Sequence, residues 1–194
     1  MTPLPPADLA AREPVLEVVP RGAELHRFFS AARDPLYFDR SDLGRLNSPA
    51  GAYGVLYMAK SERGAFAETF LRAPGSTLIA KDVLARKAYV RLRTRRALRL
   101  IRFARPGLAR LGATAEVVHG GLPYDTAQAW SAALHAHPML ADGIAYNARH
   151  DDEALYYAIF DRASDALSES HRLRNLDDNW FWEIAEVYGM GMAP

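Results

Sequence analysis

Short strand-like runs, separated by loops rich in Pro, Gly, Asp and Ser, constrain the fold of this chain more than any other feature. Four stretches have the alternation or the apolar content of strands: 23–30, 53–60, 77–103 and 139–162, the last as strand, polar loop and strand. Two stretches repeat apolar residues at helical spacing, 62–72 and 122–138. Together they predict an α+β domain with mixed or antiparallel sheets and flanking helices.

The 194 residues fit a single domain. Proline recurs five times among the first twenty residues, which predicts an extended N-terminal lead-in over 1–22. The remainder, 23–194, is then one domain. Its tail, 173–192, is apolar enough to dock on the domain as a last strand or helix.

Composition excludes several classes of protein. The chain has no cysteine, so disulfides, thiolate catalysis and Cys-ligated zinc are all absent. No stretch approaches the roughly 20 apolar residues of a membrane-spanning helix. The N-terminus also lacks the basic, apolar and small-residue order of a signal peptide. We expect a cytoplasmic protein with no membrane contact.

Two arginines and a glutamate are candidates for chemistry. Arg27 lies in a predicted strand between apolar neighbours, where an unpaired charge is costly, and Arg45 ends a loop before the next strand. Two guanidinium groups converging on one cleft would clamp a diphosphate. Glu68 would stabilise an oxocarbenium-like charge if it faced the same cleft. The alternatives are an exposed Glu68 and structural arginines paired with nearby acids: Asp34, Asp39 or Asp42.

Tyrosines near these residues could stack on an aromatic base or a nicotinamide ring. The candidates are Tyr37, Tyr53 and Tyr57. Since Tyr53 and Tyr57 are four residues apart in one predicted strand, both could instead lie on its core-facing side.

Five blocks in a fixed order carry a family resemblance. They are an Arg in the first strand, an Arg-hydrophobic-Asn turn, a Leu-Tyr strand, an Ala-x-x-Glu helix and a late Gly-Ile-x-Tyr strand. The chain supplies them as "LHRFFS", "GRLNSPAGAYGVLYMAKSERGAFAET" and "DGIAYNARHDDEALYYAIFDR". Over roughly residues 23–162 the chain therefore resembles the RES-domain proteins. These are toxins of bacterial toxin–antitoxin pairs whose antitoxins carry an Xre-like helix-turn-helix.

The resemblance implies a fold similar to ADP-ribosyltransferase toxins and cleavage of the N-glycosidic bond of NAD, with NAD as substrate and no metal. Matched by position, it implies catalytic roles for Glu68, Arg45 and Tyr57. It also implies NAD contacts from Arg27, Tyr37, Tyr53, Asn47 and Asn147. Relatives read Tyr-x-Ser-Arg after Gly-Ile, whereas this chain has Ala148 at the serine position. If that serine positions the nucleophile or the nicotinamide amide, this chain differs in rate or acceptor.

The acceptor of ADP-ribose stays open. Water or phosphate would make the protein an NAD-degrading toxin, and a host protein side chain would make it a mono-ADP-ribosyltransferase. The implied partner is a cognate antitoxin with an Xre-like helix-turn-helix, for which the aromatic segment 179–189 is a candidate docking site.

A basic stretch offers a third interpretation. Ten Lys and Arg residues occur between 86 and 110, which would suit a nucleic-acid-binding module. Arg91, Arg93 and Arg95 alternate with Leu92 and Thr94, however, as on the solvated face of a strand. That alternation favours a solvated surface over direct nucleic-acid binding. The six histidines lack the four-residue helical spacing of a zinc pair.

Overall fold

A computed structural model of the chain describes residues 3–73, 75–147 and 155–193. The strands are β1 Leu16–Val19, β2 Glu24–Ser30, β3 Val55–Ala59, β4 Leu78–Ile79, β5 Lys87–Thr94, β6 Leu98–Arg102, β7 Gly143–Asn147, β8 Leu155–Phe160, β9 Leu167–Leu173 and β10 Gly191–Met192. The α-helices are α1 Glu62–Phe70, α2 Lys81–Ala85, α3 Pro106–Leu111, α4 Glu116–His119, α5 Asp125–His135 and α6 Asn179–Val187. In the part of the chain described here, no helix combines the length and apolarity needed to cross a lipid bilayer.

Eight strands form one sheet in the order β1-β6-β7-β8-β3-β2-β5-β9. β6 and β7 run parallel, and the other neighbours in this sheet are antiparallel. β4 and β10 form a separate two-stranded parallel sheet. The helices α1, α5 and α6 pack against the main sheet or against each other. The predicted α+β class, with mixed and antiparallel sheets and flanking helices, is confirmed.

The N-terminal segment contributes to the main sheet. Within the predicted lead-in, β1 pairs with β6 as an edge strand, with Leu16 opposite Ile101, and Val19 is only 4% exposed. Two of the five prolines that suggested a lead-in, Pro14 and Pro20, flank this strand without interrupting it, and an edge strand is where a sheet tolerates proline. The apolar residues between these two prolines form the strand, although the proline content of the segment predicted an extended lead-in.

The main sheet has a seam between β2 and β3. Only His26 and Ala59 pair across it among the described residues, whereas β2 pairs with β5 at seven positions and β3 with β8 at five. Beyond that pair the strands diverge, and the loop that follows β2 enters the gap. There Asp39 bridges to Val55 with two backbone hydrogen bonds of 2.9 Å.

Helix α1 follows β3 at this seam. It begins after Ser61, whose hydroxyl accepts a hydrogen bond from the Gly64 amide at 3.1 Å, as expected of an N-cap. Because residues four apart share a helix face, Phe66 and Phe70 point together towards the core. Glu68 lies two residues from each of them, about 200° around the helix. The helix therefore directs Glu68 away from its core-facing side.

Candidate active site

A cleft with two lobes lies at the seam, beside α1. The first lobe, of about 370 Å³, is lined by Leu43, Gly44, Arg45, Leu46, Gly121, Leu122, Tyr124 and Tyr146 together with three residues shared with the second lobe. The second lobe, of about 240 Å³, lies where β2 and β3 diverge and includes Arg27 and Lys87. The shared residues are Tyr57, Glu68 and Arg72. Glu68 thus lies at the wall common to both lobes.

Glu68 is a partly desolvated carboxylate with cations nearby. Its side chain is 28% exposed, and Oε1 lies 4.0 Å from Nη2 of Arg72. Burial raises the pKa of Glu68 above its ordinary value, while Arg72 and Arg45 act in the opposite direction. The cleft therefore holds one acid whose ionised form is favoured by two nearby arginines.

Arg72 lies outside the set of site residues predicted from the sequence. It follows α1, lines both lobes, and its Nε donates to the Glu68 carbonyl at 2.9 Å. The signal that could have found it is its spacing, since a residue four positions after a helical glutamate lies beside that glutamate.

Tyr57 is fixed by a short polar chain behind the cleft. Its hydroxyl donates to Oδ1 of Asn47 at 2.9 Å and accepts from the Leu46 amide at 2.8 Å. Asn47 is completely buried, and its Nδ2 donates to Asp39 at 3.1 Å and to the Ser41 carbonyl at 2.8 Å. Burial raises the pKa of Tyr57, so its phenol stays protonated. Asn47 lines neither lobe and instead holds Tyr57 in place.

Arg45 lines the first lobe and fixes its outer wall. Its Nη1 donates to the Val118 carbonyl, and its guanidinium lies 5.3 Å from the centre of the Tyr124 ring. Its Nε is buried and has no hydrogen-bond partner among the described residues. Arg45 forms no ion pair with an acid in that part of the chain, so the structural-pair alternative does not describe it.

Arg27 lines the second lobe. Its Nη1 donates to the Pro35 carbonyl at 3.2 Å, and its buried Nε has no hydrogen-bond partner in the described segments. Burial lowers the pKa of Arg27 to about 10, so the side chain remains a cation at neutral pH. Arg27 and Arg45 therefore line the same cleft but different lobes of it, and Glu68 lies at the wall that the two lobes share.

Lys87 is a second cation of the same lobe that sequence reasoning missed. Burial is the largest of the effects that lower the pKa of Lys87, and the nearby charges of Arg72, Arg27 and Arg86 lower it further. With Arg27 and Arg72 it makes the second lobe strongly cationic. No local signal identifies Lys87, because the loop and helix that surround it come from other parts of the chain.

Two of the predicted stacking tyrosines lie elsewhere. Tyr53 is 4% exposed; its ring stacks on His135 at 3.8 Å and its hydroxyl shares a 2.9 Å hydrogen bond with Ser131. Tyr37 packs under the Arg33 guanidinium at 4.4 Å. Neither lines either lobe, so the aromatic wall of the first lobe is formed by a different set: Tyr57, Tyr124 and Tyr146.

Asn147, at the end of β7, also lies away from the two lobes. It is 8% exposed and lines a separate cavity with Arg105 and His119. Ala148, which stands at the expected serine, falls outside the described residues.

The basic stretch is largely occupied by ion pairs. Arg91 and Arg93 both bind Glu24, at 3.1 Å and 2.9 Å, and Arg96 binds Asp142 at 2.8 Å. These pairs favour the interpretation of a solvated sheet face over a surface for nucleic acid. No cluster of three or more His, Asp or Glu side chains is placed to hold a metal within 3–73, 75–147 and 155–193.

Comparison with known proteins gives two matches. A family model described as the RES domain matches residues 20–181. Among solved structures, the crystal structure of the M. tuberculosis MbcT-MbcA toxin-antitoxin complex contains a similar chain, with a TM-score of 0.69 and 16% sequence identity. The match covers 87% of this chain and 92% of that one, and at this identity it shows a shared fold. No curated protein matches.

Proposed function

This chain belongs to the RES domain family, and we propose that it is the toxin of a bacterial toxin–antitoxin pair and cleaves the bond between nicotinamide and ribose in NAD. The observation that supports this activity most directly is the position of Glu68. Its carboxylate lies near Arg72 and within the electrostatic influence of Arg45, at the wall common to an aromatic lobe and a cationic lobe. A dinucleotide with a ring at one end and phosphates beyond the ribose has the same order of groups.

The two lobes suit the two ends of NAD. The first lobe offers Tyr57, Tyr124 and Tyr146 as faces and edges for the nicotinamide ring. The second lobe offers Arg27, Arg72 and Lys87 for the diphosphate, whose oxygens match guanidinium and ammonium donors. The nicotinamide ribose would then lie beside Glu68. In this arrangement the diphosphate is bound by Arg27, Arg72 and Lys87 of the second lobe, and not by the pair Arg27 and Arg45 that the sequence suggested.

In the proposed step, the C–N glycosidic bond breaks and its electron pair returns to the nicotinamide ring. Neutral nicotinamide leaves, and the ribose becomes an oxocarbenium-like cation. The Glu68 carboxylate stabilises this cation because a fixed anion in a partly desolvated site interacts strongly with the charge that develops. Water attack then yields ADP-ribose and a proton, and phosphate attack yields ADP-ribose phosphate.

Transfer of ADP-ribose to a host protein is the second candidate activity. It is favoured by the mouth of the first lobe, where Leu43 and Leu122 are each 80% exposed. Large apolar side chains exposed at a cleft mouth suit contact with another protein. A cognate antitoxin with an Xre-like helix-turn-helix is the proposed regulatory partner, and the same rim is a candidate contact for it. The aromatic side chains of the tail are less available, because Phe181 is buried and Trp180 bonds to Glu62.

The experiment that tests the function is incubation of the purified protein with NAD, with and without a bacterial lysate. Nicotinamide release and ADP-ribose on protein are both measured. Release with free ADP-ribose, or with its phosphate in phosphate buffer, supports an NAD-degrading toxin. Nicotinamide release that requires the lysate, together with ADP-ribose attached to a lysate protein, supports the transferase. If nicotinamide is released in neither mixture, the proposed activity is wrong.

In the pH profile of kcat/KM, activity is expected to fall on the acid side at a pH above 4.5, the ordinary pKa of a glutamate. We call this fall the acid limb. Burial raises the pKa of Glu68, so the catalytic anion takes up its proton, and activity falls, at a higher pH than for an exposed carboxylate. Because Arg72 lowers this pKa, Arg72→Gln should move the limb to still higher pH. The measurement is kcat/KM between about pH 4 and 8, which reports the free enzyme. A limb at the same pH in both proteins would assign it to another group.

A further inference from the structure

We propose that the C-terminal helix α6 holds α1, and with it Glu68, in its working position, and that Trp180 and Glu62 are the positioning residues through which it does so. The inference rests on the proposed function for its kinetic test. Its structural test, described below, does not depend on any substrate.

A hydrogen-bond network joins α6 to the elements that carry the second lobe. Trp180 Nε1 donates to Oε2 of Glu62 at 2.8 Å, and the Tyr89 hydroxyl donates to Oε1 at 3.1 Å. Nδ1 of His26 lies 2.7 Å from the same hydroxyl. The four residues belong to α6, α1, β5 and β2, and His26 directly precedes Arg27. The network therefore ties together the three elements that bear Glu68, Lys87 and Arg27.

Aromatic packing reinforces the contact between the two helices. Phe181 is completely buried, and its ring lies 5.4 Å from Phe66 and 5.2 Å from Phe70. The Tyr188 ring stacks on Phe66 at 5.6 Å, and its hydroxyl donates to the Arg63 carbonyl at 3.3 Å. α6 thus contacts α1 along its length.

Because both belong to α1, the contact with α6 on one face of the helix also sets the position of Glu68 on the other face. Glu62, Phe66 and Phe70 are spaced by four and form one stripe, which faces α6 and the core. Glu68 lies on the other side of the same helix, with Arg72 beside it. Since a helix of nine residues moves as a rigid unit, the seating of the stripe on α6 sets how far Glu68 reaches into the cleft.

We expect the Trp180–Glu62 hydrogen bond to orient α1 more than it stabilises the folded protein. The Glu62 side chain is 34% exposed, so water can replace the indole as its donor. Glu62 also lies in the first turn of α1, where the helix dipole favours a negative charge. Removing the indole N–H should leave the fold intact while allowing α1 to shift. The family match ends at Phe181, so most of α6 lies beyond it.

The chain offers a matched pair of variants for the test. Trp182 Nε1 donates to Asp177 at 2.8 Å, a hydrogen bond of the same kind and length that does not reach α1. We expect Trp180→Phe to lower kcat for NAD by on the order of 10- to 100-fold with little change in KM, because small displacements of a catalytic group act on the transition state. Trp182→Phe should match the parent protein. Glu62→Ala, which removes both carboxylate acceptors of the network, should behave as Trp180→Phe does.

Amide hydrogen exchange supplies the structural readout. Trp180→Phe should speed exchange at Phe66, Ala67 and Glu68 in α1, while amides of β7 and β8 keep their protection. Normal α1 exchange in Trp180→Phe would overturn the inference, as would equal loss of kcat in both tryptophan variants. If the parent protein releases no nicotinamide, the proposed function fails, and the exchange comparison still decides whether α6 positions α1.

Discussion

Glu68→Gln is expected to lower NAD cleavage by about 100-fold or more, since it removes the fixed anion that stabilises the transition state. The amide has nearly the same shape, so the cleft stays intact. The variant should also melt at the same or a higher temperature. Burial raises the pKa of Glu68 in the folded protein, so folding stability falls as pH rises through this pKa, and the ionised carboxylate opposes folding at neutral pH. Nicotinamide release and thermal unfolding at neutral pH measure the two effects.

The matched control for this change is Glu13→Gln. Glu13 is an exposed glutamate whose ion pair with Arg110 spans 3.5 Å, and it lines neither lobe. It should leave turnover unchanged. Parent-level activity in Glu68→Gln would remove Glu68 from the mechanism, whatever happened to its melting temperature.

Asn47→Ala is expected to lower the free energy of unfolding by about 3 kcal/mol, because it removes three hydrogen bonds of a completely buried side chain and leaves the Tyr57 hydroxyl without an acceptor. The Tyr57 hydroxyl loses its acceptor, and Asp39 and the Ser41 carbonyl lose a donor. Of its two hydroxyl hydrogen bonds, Tyr57 then keeps only the one from the Leu46 amide, so its position on the cleft wall is less well fixed. Denaturant unfolding measures the stability change.

Asn175→Ala makes the same chemical change at an exposed site. There the side-chain oxygen accepts one hydrogen bond from the Asp177 amide, and water can replace it. We expect a change within about 0.5 kcal/mol, as is usual for surface substitutions. Equal stability losses in the two variants would mean that the buried polar chain behind Tyr57 contributes nothing special.

Sequence patterns predicted the fold class and the RES resemblance, and both are confirmed. The helix expected over 62–72 is present as Glu62–Phe70, because Ser61 marks its start by local chemistry alone. The prediction that 77–103 is rich in strands was less accurate, since this stretch contains the short helix Lys81–Ala85 between two strands. Five residues are too few to display a helical period, so a pattern of apolar residues could not separate this turn of helix from a strand.

The candidate site was predicted only in part, and the reason lies in long-range contacts. Tyr57 and Tyr53 have the same local sequence signal, yet only Tyr57 lines the cleft. Tyr53 packs on α5, with Ser131 as its partner 78 positions away. Which tyrosine faces a ligand depends on where that helix docks, and no local rule contains this information.

The wall shared by the two lobes has a consequence for inhibition. Tyr57, Glu68 and Arg72 line both lobes, so an aromatic fragment in one and an anionic fragment in the other would lie side by side. A short linker would give the second fragment an effective concentration in the millimolar range once the first has bound. Two weak fragments joined across Glu68 would then act as one tight ligand, whose affinity would depend on linker length as well as on either contact.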